Sequence, residues 1–306
     1  MKIVFIHGMN QQRFDVIKMR TLWLELFQSG LDLNHLNIDV KDLDIDVPFY
    51  GDLLSKHHVN NLLDLGTFLP KSLQGLKLPF HFKKKQDLLA DVSPHDIKMT
   101  DSYSQSSNPK INLNHISKIV GDYTTFAKNH TLKELMVFLN HYPKIHENLV
   151  HKYLIETYLY LADPEFMHEV HHRILENLHP NQQHIIVGHS LGSVIAYNLM
   201  HKVKNLRIHR FITLGSPLAF KVIQSRLHQP ISRPQHLDGD WINFYSPDDF
   251  LTAFPLCNEP FLFDPPIQNI PIHTQISNPH KINGYITHSQ VIQSIVQALT
   301  FKKNLI

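Results

Sequence analysis

Two rhythms of apolar positions alternate along this chain. Short apolar or β-branched runs over Lys2–Ile6, Ile185–Val187, Arg210–Leu214 and Trp241–Tyr245 predict buried strands. The alternating segment Asp42–Phe49 (DLDIDVPF) and the run Ile272–Ile276 predict two more. Between them the apolar residues fall on one face of a helix. The first such segment carries Val16, Ile17, Leu22, Trp23, Leu26 and Phe27, with Gly30 as its stop; the second, Glu165–Leu178, carries Met167, Val170, Ile174, Leu175 and Leu178. A third begins at Leu191, and His288–Phe301 closes the chain. Strand followed by helix, repeated, predicts an α/β fold whose central sheet is mostly parallel and flanked by helices.

The rhythm fails from about residue 53 to 150. GTFLPKSLQGLKLPFHFKKKQDLL mixes apolar residues with Lys83, Lys84 and Lys85, and Thr100–Lys110 is a polar, turn-rich stretch. From Lys118 to Leu178 the spacing is helical again. The expectation is an insertion forming a helical cap within one domain spanning 1–306. With 306 residues, 42% of them hydrophobic, the chain can bury a core of that size. Three adjacent lysines are read as a solvated face of the cap in preference to a membrane contact.

Charge and cysteine content narrow the setting. A net charge of +2 with no basic cluster of nucleic-acid type argues against a nucleic-acid partner. Cys257 is the single cysteine, so no intramolecular disulfide forms. The first strand begins at Lys2 with no charged leader and apolar core ahead of it, and no run of eighteen apolar residues follows; a cytoplasmic protein is the expectation.

The candidate chemistry centres on His184–Ala196, HIIVGHSLGSVIA. A strand stops at Gly188 and a helix starts at Leu191, which puts Ser190 at the apex of a G-x-S-x-G turn. A serine there takes a strained backbone conformation, with Gly188 and Gly192 leaving room for strand and helix to approach. The helix aims backbone N–H groups at the space in front of the hydroxyl, where an oxyanion would form. Two backbone donors are expected: the N–H of Leu191, and that of Met9, which follows the first strand's His7-Gly8. After the elbow, the strand ending at Tyr245 delivers Asp248 and Asp249, and the loop after the last strand delivers His280, so candidate nucleophile, acid and base follow in the order Ser, Asp, His. His288 is a rival base, read as a residue of the helix-capping region. His168-Glu169-Val170-His171-His172 matches the H-E-x-x-H zinc pattern, but with 24 histidines in the chain and an amphipathic helix around it, no metal is assigned.

The motifs His7-Gly8, Tyr50-Gly51-Asp52, Tyr158-Leu159 with Asp163-Pro164, Gly188–Ser193, Leu214–Pro217, Asn243 with Asp249, and His280 with Gly284-Tyr285 resemble the α/β-hydrolase superfamily, with serine esterases and lipases as the nearest chemistry. More narrowly the chain looks like a group of microbial hydrolases carrying the same set. The resemblance spans most of the chain except 53–125. It implies Ser190 as nucleophile, His280 as general base and acid, and Asp249 as the orienting carboxylate. In the acid loop Phe250-Leu251 stand where the familiar pattern has Pro-Val, which leaves Asp248 as an alternative to Asp249. The expected activity is hydrolysis of a small carboxylic ester with an apolar acyl group, through an acyl-enzyme and without a cofactor. The alternatives are an interfacial lipase or phospholipase that uses residues 68–90, and an inactive hydrolase-fold binding module.

Overall fold

The computed structural model describes residues 1–8, 14–53, 160–161, 163–249, 254–274 and 278–300. Their elements in chain order are β1 (Lys2–Ile6), α1 (Val16–Leu33), β2 (Ile45–Asp46), α2 (Pro164–Leu175), β3 (Gln183–His189), α3 (Leu191–Lys202), β4 (Arg207–Leu214), α4 (Lys221–Gln224), β5 (Leu237–Tyr245), β6 (Gln268–Pro271), α5 (Ile282–Ile286) and α6 (Ser289–Thr300). The six strands form one sheet in the order β2-β1-β3-β4-β5-β6, with every neighbouring pair parallel. Parallel strands need crossover connections, and helices cover both faces of the sheet as a result.

The pleat sorts the core. Val4, Ile6 and Ile186 face one side, with Phe166, Val170 and Ile174 of α2 and Val194, Ile195 and Leu199 of α3. Ile3, Phe5, Ile185 and Val187 face the other, with Met19, Trp23 and Phe27 of α1 and Val291, Ile292 and Ile295 of α6. The Phe5 ring lies 5.2 Å from Trp23 and 5.4 Å from Phe27, so aromatic packing joins the first strand to the first helix.

Chain order reverses direction across the sheet at β1: the chain steps outward to β2, then returns to place β3 on β1's other side. In open parallel sheets such a reversal is the point at which ligands bind, at the carboxyl edge of the strands on either side of it, here β1 and β3. Helix starts facing this edge are capped locally. Asp163 accepts from the N–H groups of Glu165 and Phe166 with Pro164 in the first turn of α2, and Asp15 accepts from Lys18 at the start of α1.

Three expectations need correction. Gly30 does not end the first helix. It sits inside α1, where a Cβ would lie 2.5 Å from Ile292 Cδ1, so the missing side chain serves the approach of α6. The helix stops instead at Asn34, whose side chain donates to the Gly30 carbonyl at 2.7 Å, followed by His35 at φ 56°. The second strand shrinks to Ile45–Asp46, because a short turn over Val40–Asp42 takes its expected start. The last strand is Gln268–Pro271, ahead of the predicted Ile272–Ile276. Asn269 holds it in place: its side chain bonds Leu256 N–H and carbonyl at 2.7 and 3.0 Å and accepts from Asn243 at 2.9 Å. Polar anchoring on an edge strand leaves no apolar pattern to read. Gln275–Ser277 lie outside the described residues, as do most of the 53–150 insertion, the 68–90 segment, Tyr158-Leu159 and Phe250-Leu251.

Candidate active site

Ser190 follows the last residue of β3 at φ 53° and ψ −126°. That left-handed conformation is costly for a serine and persists because both sides are fixed. Its N–H donates to the Leu214 carbonyl of β4 at 2.9 Å, and α3 begins at the next residue. A serine at a helix N-cap ordinarily folds its hydroxyl back onto the first turn. Here the turn directs the side chain away and no capping bond forms, so the hydroxyl is available elsewhere. The elbow glycines act through space: a Cβ on Gly192 would lie 2.1 Å from the Ile6 carbonyl oxygen, and one on Gly188 would lie 2.7 Å from Ser193 Cα.

Ser190 Oγ donates to His280 Nε2 at 2.8 Å, and His280 Nδ1–H donates to Asp249 Oδ2 at 2.7 Å. A carboxylate can only accept, so its bond with Nδ1 fixes the neutral imidazole as the tautomer that leaves Nε2 bare toward the serine. Asp249 is completely buried, and the Tyr285 hydroxyl also donates to its Oδ2 at 2.7 Å. Asp248 is exposed instead, its Oδ2 paired with His273 at 3.2 Å. His288 stands just before α6, where its carbonyl accepts from the N–H groups of Val291 and Ile292 at 3.0 Å.

The other expected residues fall as follows. Leu191 is the first residue of α3, and N–H groups at a helix start have no partner within the helix. Met9 lies outside the described residues. Gly8, before it, comes so near Ser190 that a Cβ there would be 2.9 Å from Ser190 Cβ. In the H-E-x-x-H segment His168 and His172 are exposed, with His172 3.3 Å from Glu176, whereas His171 turns inward to a 2.7 Å bond with the Tyr160 hydroxyl. Among the described residues no cluster of three or more His, Cys, Asp or Glu is placed to hold a metal ion.

Two buried histidines support the site through contacts that the sequence did not reveal. His189 Nε2–H donates to the His280 carbonyl at 3.0 Å, and its ring packs 5.1 Å from that of His280. Burial, aided by the neighbouring His280, pushes its pKa down to about 3. His7 Nδ1–H donates to the Gly8 carbonyl at 2.7 Å, and its Nε2 accepts from Tyr50 N–H at 3.3 Å. The Tyr50 ring stacks on it at 3.9 Å and the Tyr50 hydroxyl donates to its carbonyl. Burial brings His7 down to about 4. Both were visible as motif members, in His7-Gly8 and as the residue before Ser190, but their partners are distant in sequence.

These neutral histidines, with His171 lowered by burial to about 3, make the fold sensitive to acid. Each binds a proton near pH 6.5 in the unfolded chain and only near pH 3 to 4 when folded. Between those values the unfolded state holds more protons, so stability is full above pH 6.5 and declines as pH falls. Each group contributes a slope of at most about 1.4 kcal/mol per pH unit. Urea midpoints measured from pH 7 to 5, above the carboxylate range, are expected to fall steeply, and His171→Phe to reduce the slope by about one proton. A midpoint flat across that range would contradict the assignment of these three as buried and neutral.

A parallel sheet wound on both faces, with a strained serine between β3 and α3 at its carboxyl edge, defines an α/β-hydrolase fold. The sequence model of the family Lipase (class 3) matches residues 117–259, a span containing Ser190 and Asp249, and it places the chain in the lipase/α/β-hydrolase superfamily. No curated protein and no solved structure matches the chain.

Proposed function

We propose that this lipase-type hydrolase cleaves carboxylic esters through an acyl-enzyme, with Ser190 as nucleophile. The observation that carries the reading is the unbroken chain from Ser190 Oγ through His280 to buried Asp249, at 2.8 and 2.7 Å. In this mechanism His280 Nε2 takes the serine proton as Oγ attacks the ester carbonyl carbon. The oxyanion forms in front of the Leu191 N–H, with the Met9 N–H as its expected second donor. His280 then protonates the leaving alkoxide. In the second half it deprotonates a water that attacks the acyl-enzyme, and the carboxylic acid departs as Ser190 regains its proton. Asp249 holds the imidazole in the right tautomer and stabilises its cationic form.

The family match adds weight to lipid esters as substrates. The 53–150 insertion is read as the cap that supplies an apolar wall for the acyl chain. Among the described residues no helix is long and apolar enough to cross a membrane. Exposed, unbridged Cys257 fits the cytoplasmic setting that belongs to this reading.

A fluorophosphonate tests the proposal, since it reacts with a serine already activated by a base. Labelling is expected at Ser190 and absent in Ser190→Ala. On a series of p-nitrophenyl esters kcat/KM is expected to rise with acyl length, by up to about 0.8 kcal/mol per methylene, until the pocket is filled. Activity only above the aggregation point of long-chain esters would shift the reading to an interfacial lipase. Folded protein with neither labelling nor hydrolysis would leave an inactive binding module.

A further inference from the structure

We infer that Ser193 and Ser216 form a positioning relay that orients the Leu191 N–H toward the oxyanion; the inference rests on the ester-hydrolase reading above. Ser193 Oγ lies 2.6 Å from the Ser190 carbonyl oxygen and 2.7 Å from Ser216 Oγ, and Ser216 Oγ accepts from the Leu218 N–H at 3.3 Å. All three serines are buried, Ser193 completely. The direction of the relay follows from the groups in it. A carbonyl can only accept, so the single Ser193 proton goes to the Ser190 carbonyl. The Ser216 proton therefore goes to Ser193, and the Leu218 N–H completes the series.

What this relay holds is the peptide joining Ser190 to Leu191. That carbonyl takes two donors from one residue, Ser193 N–H at 3.0 Å and Ser193 Oγ at 2.6 Å. The peptide is planar and trans, so its C=O and N–H point in opposite directions. Fixing the Ser190 carbonyl on the helix side therefore aims the Leu191 N–H out of the helix start, toward the face where the hydroxyl attacks. The torsion that sets this plane is ψ of Ser190, at −126° in a residue already forced to φ 53°. A backbone bond at a helix start tolerates rotation of the first peptide, since that turn has only one anchored end. The hydroxyl adds a second, angled anchor. Ser216 belongs to the turn after β4 and locks the Ser193 rotamer from outside the helix. Neither hydroxyl touches the reacting atoms, so both act only through the peptide.

Loss of a whole oxyanion donor costs on the order of 10²- to 10³-fold in kcat, so a donor left present but loosely aimed is expected to cost roughly 10- to 100-fold. Ser193→Ala should show that loss in kcat with KM within about twofold of wild type, because the peptide interacts with the transition state and not with the bound ester. Affinity for an alkyl trifluoromethyl ketone, whose adduct with Ser190 carries the same oxyanion, should fall in parallel. Ser193→Thr keeps the hydroxyl and should recover most of the rate. Ser216→Ala should give a smaller loss of the same kind, and the double alanine variant should be no worse than Ser193→Ala, because the two act in series. Unchanged kcat in folded Ser193→Ala, a loss confined to KM, or additive losses in the double variant would overturn the relay while leaving the hydrolase reading intact. Wild-type protein inert to esters and to fluorophosphonate would remove the reading and the relay together. Unfolding of both single alanine variants would reassign the serines to the fold alone.

Discussion

Ser190→Ala and His280→Ala are each expected to lower kcat/KM for a carboxylic ester by a factor on the order of 10⁶, with the fold retained. In the proposed mechanism the first removes the atom that forms the acyl bond. The second leaves the hydroxyl in place without a partner to take its proton, and a serine alcohol is far too weak a nucleophile near neutral pH to act unaided. Because the two groups work as one unit, the double variant should be no slower than either single one. Neither substitution touches the backbone of the site: Ser190 loses one oxygen, and alanine at 280 keeps the carbonyl that accepts from His189. Near-ultraviolet circular dichroism should therefore match wild type. The informative control is His288→Ala. Its backbone carbonyl, which the substitution keeps, anchors the start of α6, so activity near wild type is expected. Loss of activity in His288→Ala with retention in His280→Ala would move the base to the other histidine.

The parts of this arrangement that were legible in the sequence are those in which local pattern and local chemistry coincide. Ile185–Val187, Gly188 and the helical spacing after Leu191 describe the elbow within a dozen residues, and the structure has that strand, strained turn and helix. The apolar spacing of Met167, Val170, Ile174 and Leu175 likewise marked α2, which runs over Pro164–Leu175. What was not legible depends on partners far apart in the chain. Asp248 and Asp249 are chemically identical neighbours, and only the turn after β5 decides that one is buried beneath His280 while the other faces His273. Tyr285 was a motif residue without a role until its hydroxyl was seen on Asp249. Ser193 and Ser216 meet across the β3–β4 pairing, a contact that no periodicity encodes. Gly30 misled because glycine both ends helices and lets them pack closely, and the identity of the residue does not distinguish the two uses.

Asp249→Asn is expected to lower kcat by about 10⁴-fold with little change in KM, and the geometry around Oδ2 explains why so conservative a change should cost so much. In the native site Oδ2 accepts from both His280 Nδ1–H and the Tyr285 hydroxyl, at 2.7 Å each. Asparagine can offer that position either its oxygen or its amide nitrogen. With the nitrogen there, Tyr285 accepts one N–H and His280 Nδ1 accepts the other. The ring proton then resides on Nε2, and the base faces Ser190 with a hydrogen where it needs a lone pair. With the oxygen there the tautomer survives, but the imidazolium formed during attack loses its buried counter-charge. Both outcomes slow the chemical step and leave ester binding alone. Asp248→Asn should change kcat by less than about threefold, since that carboxylate is exposed and pairs with an exposed histidine. Tyr285→Phe should fall between the two, because it removes one donor to Oδ2 and keeps the charge. An Asp248→Asn loss equal to or larger than that of Asp249→Asn would assign the acid to the neighbouring residue, and Asp249→Asn at wild-type rate would remove the carboxylate from the mechanism.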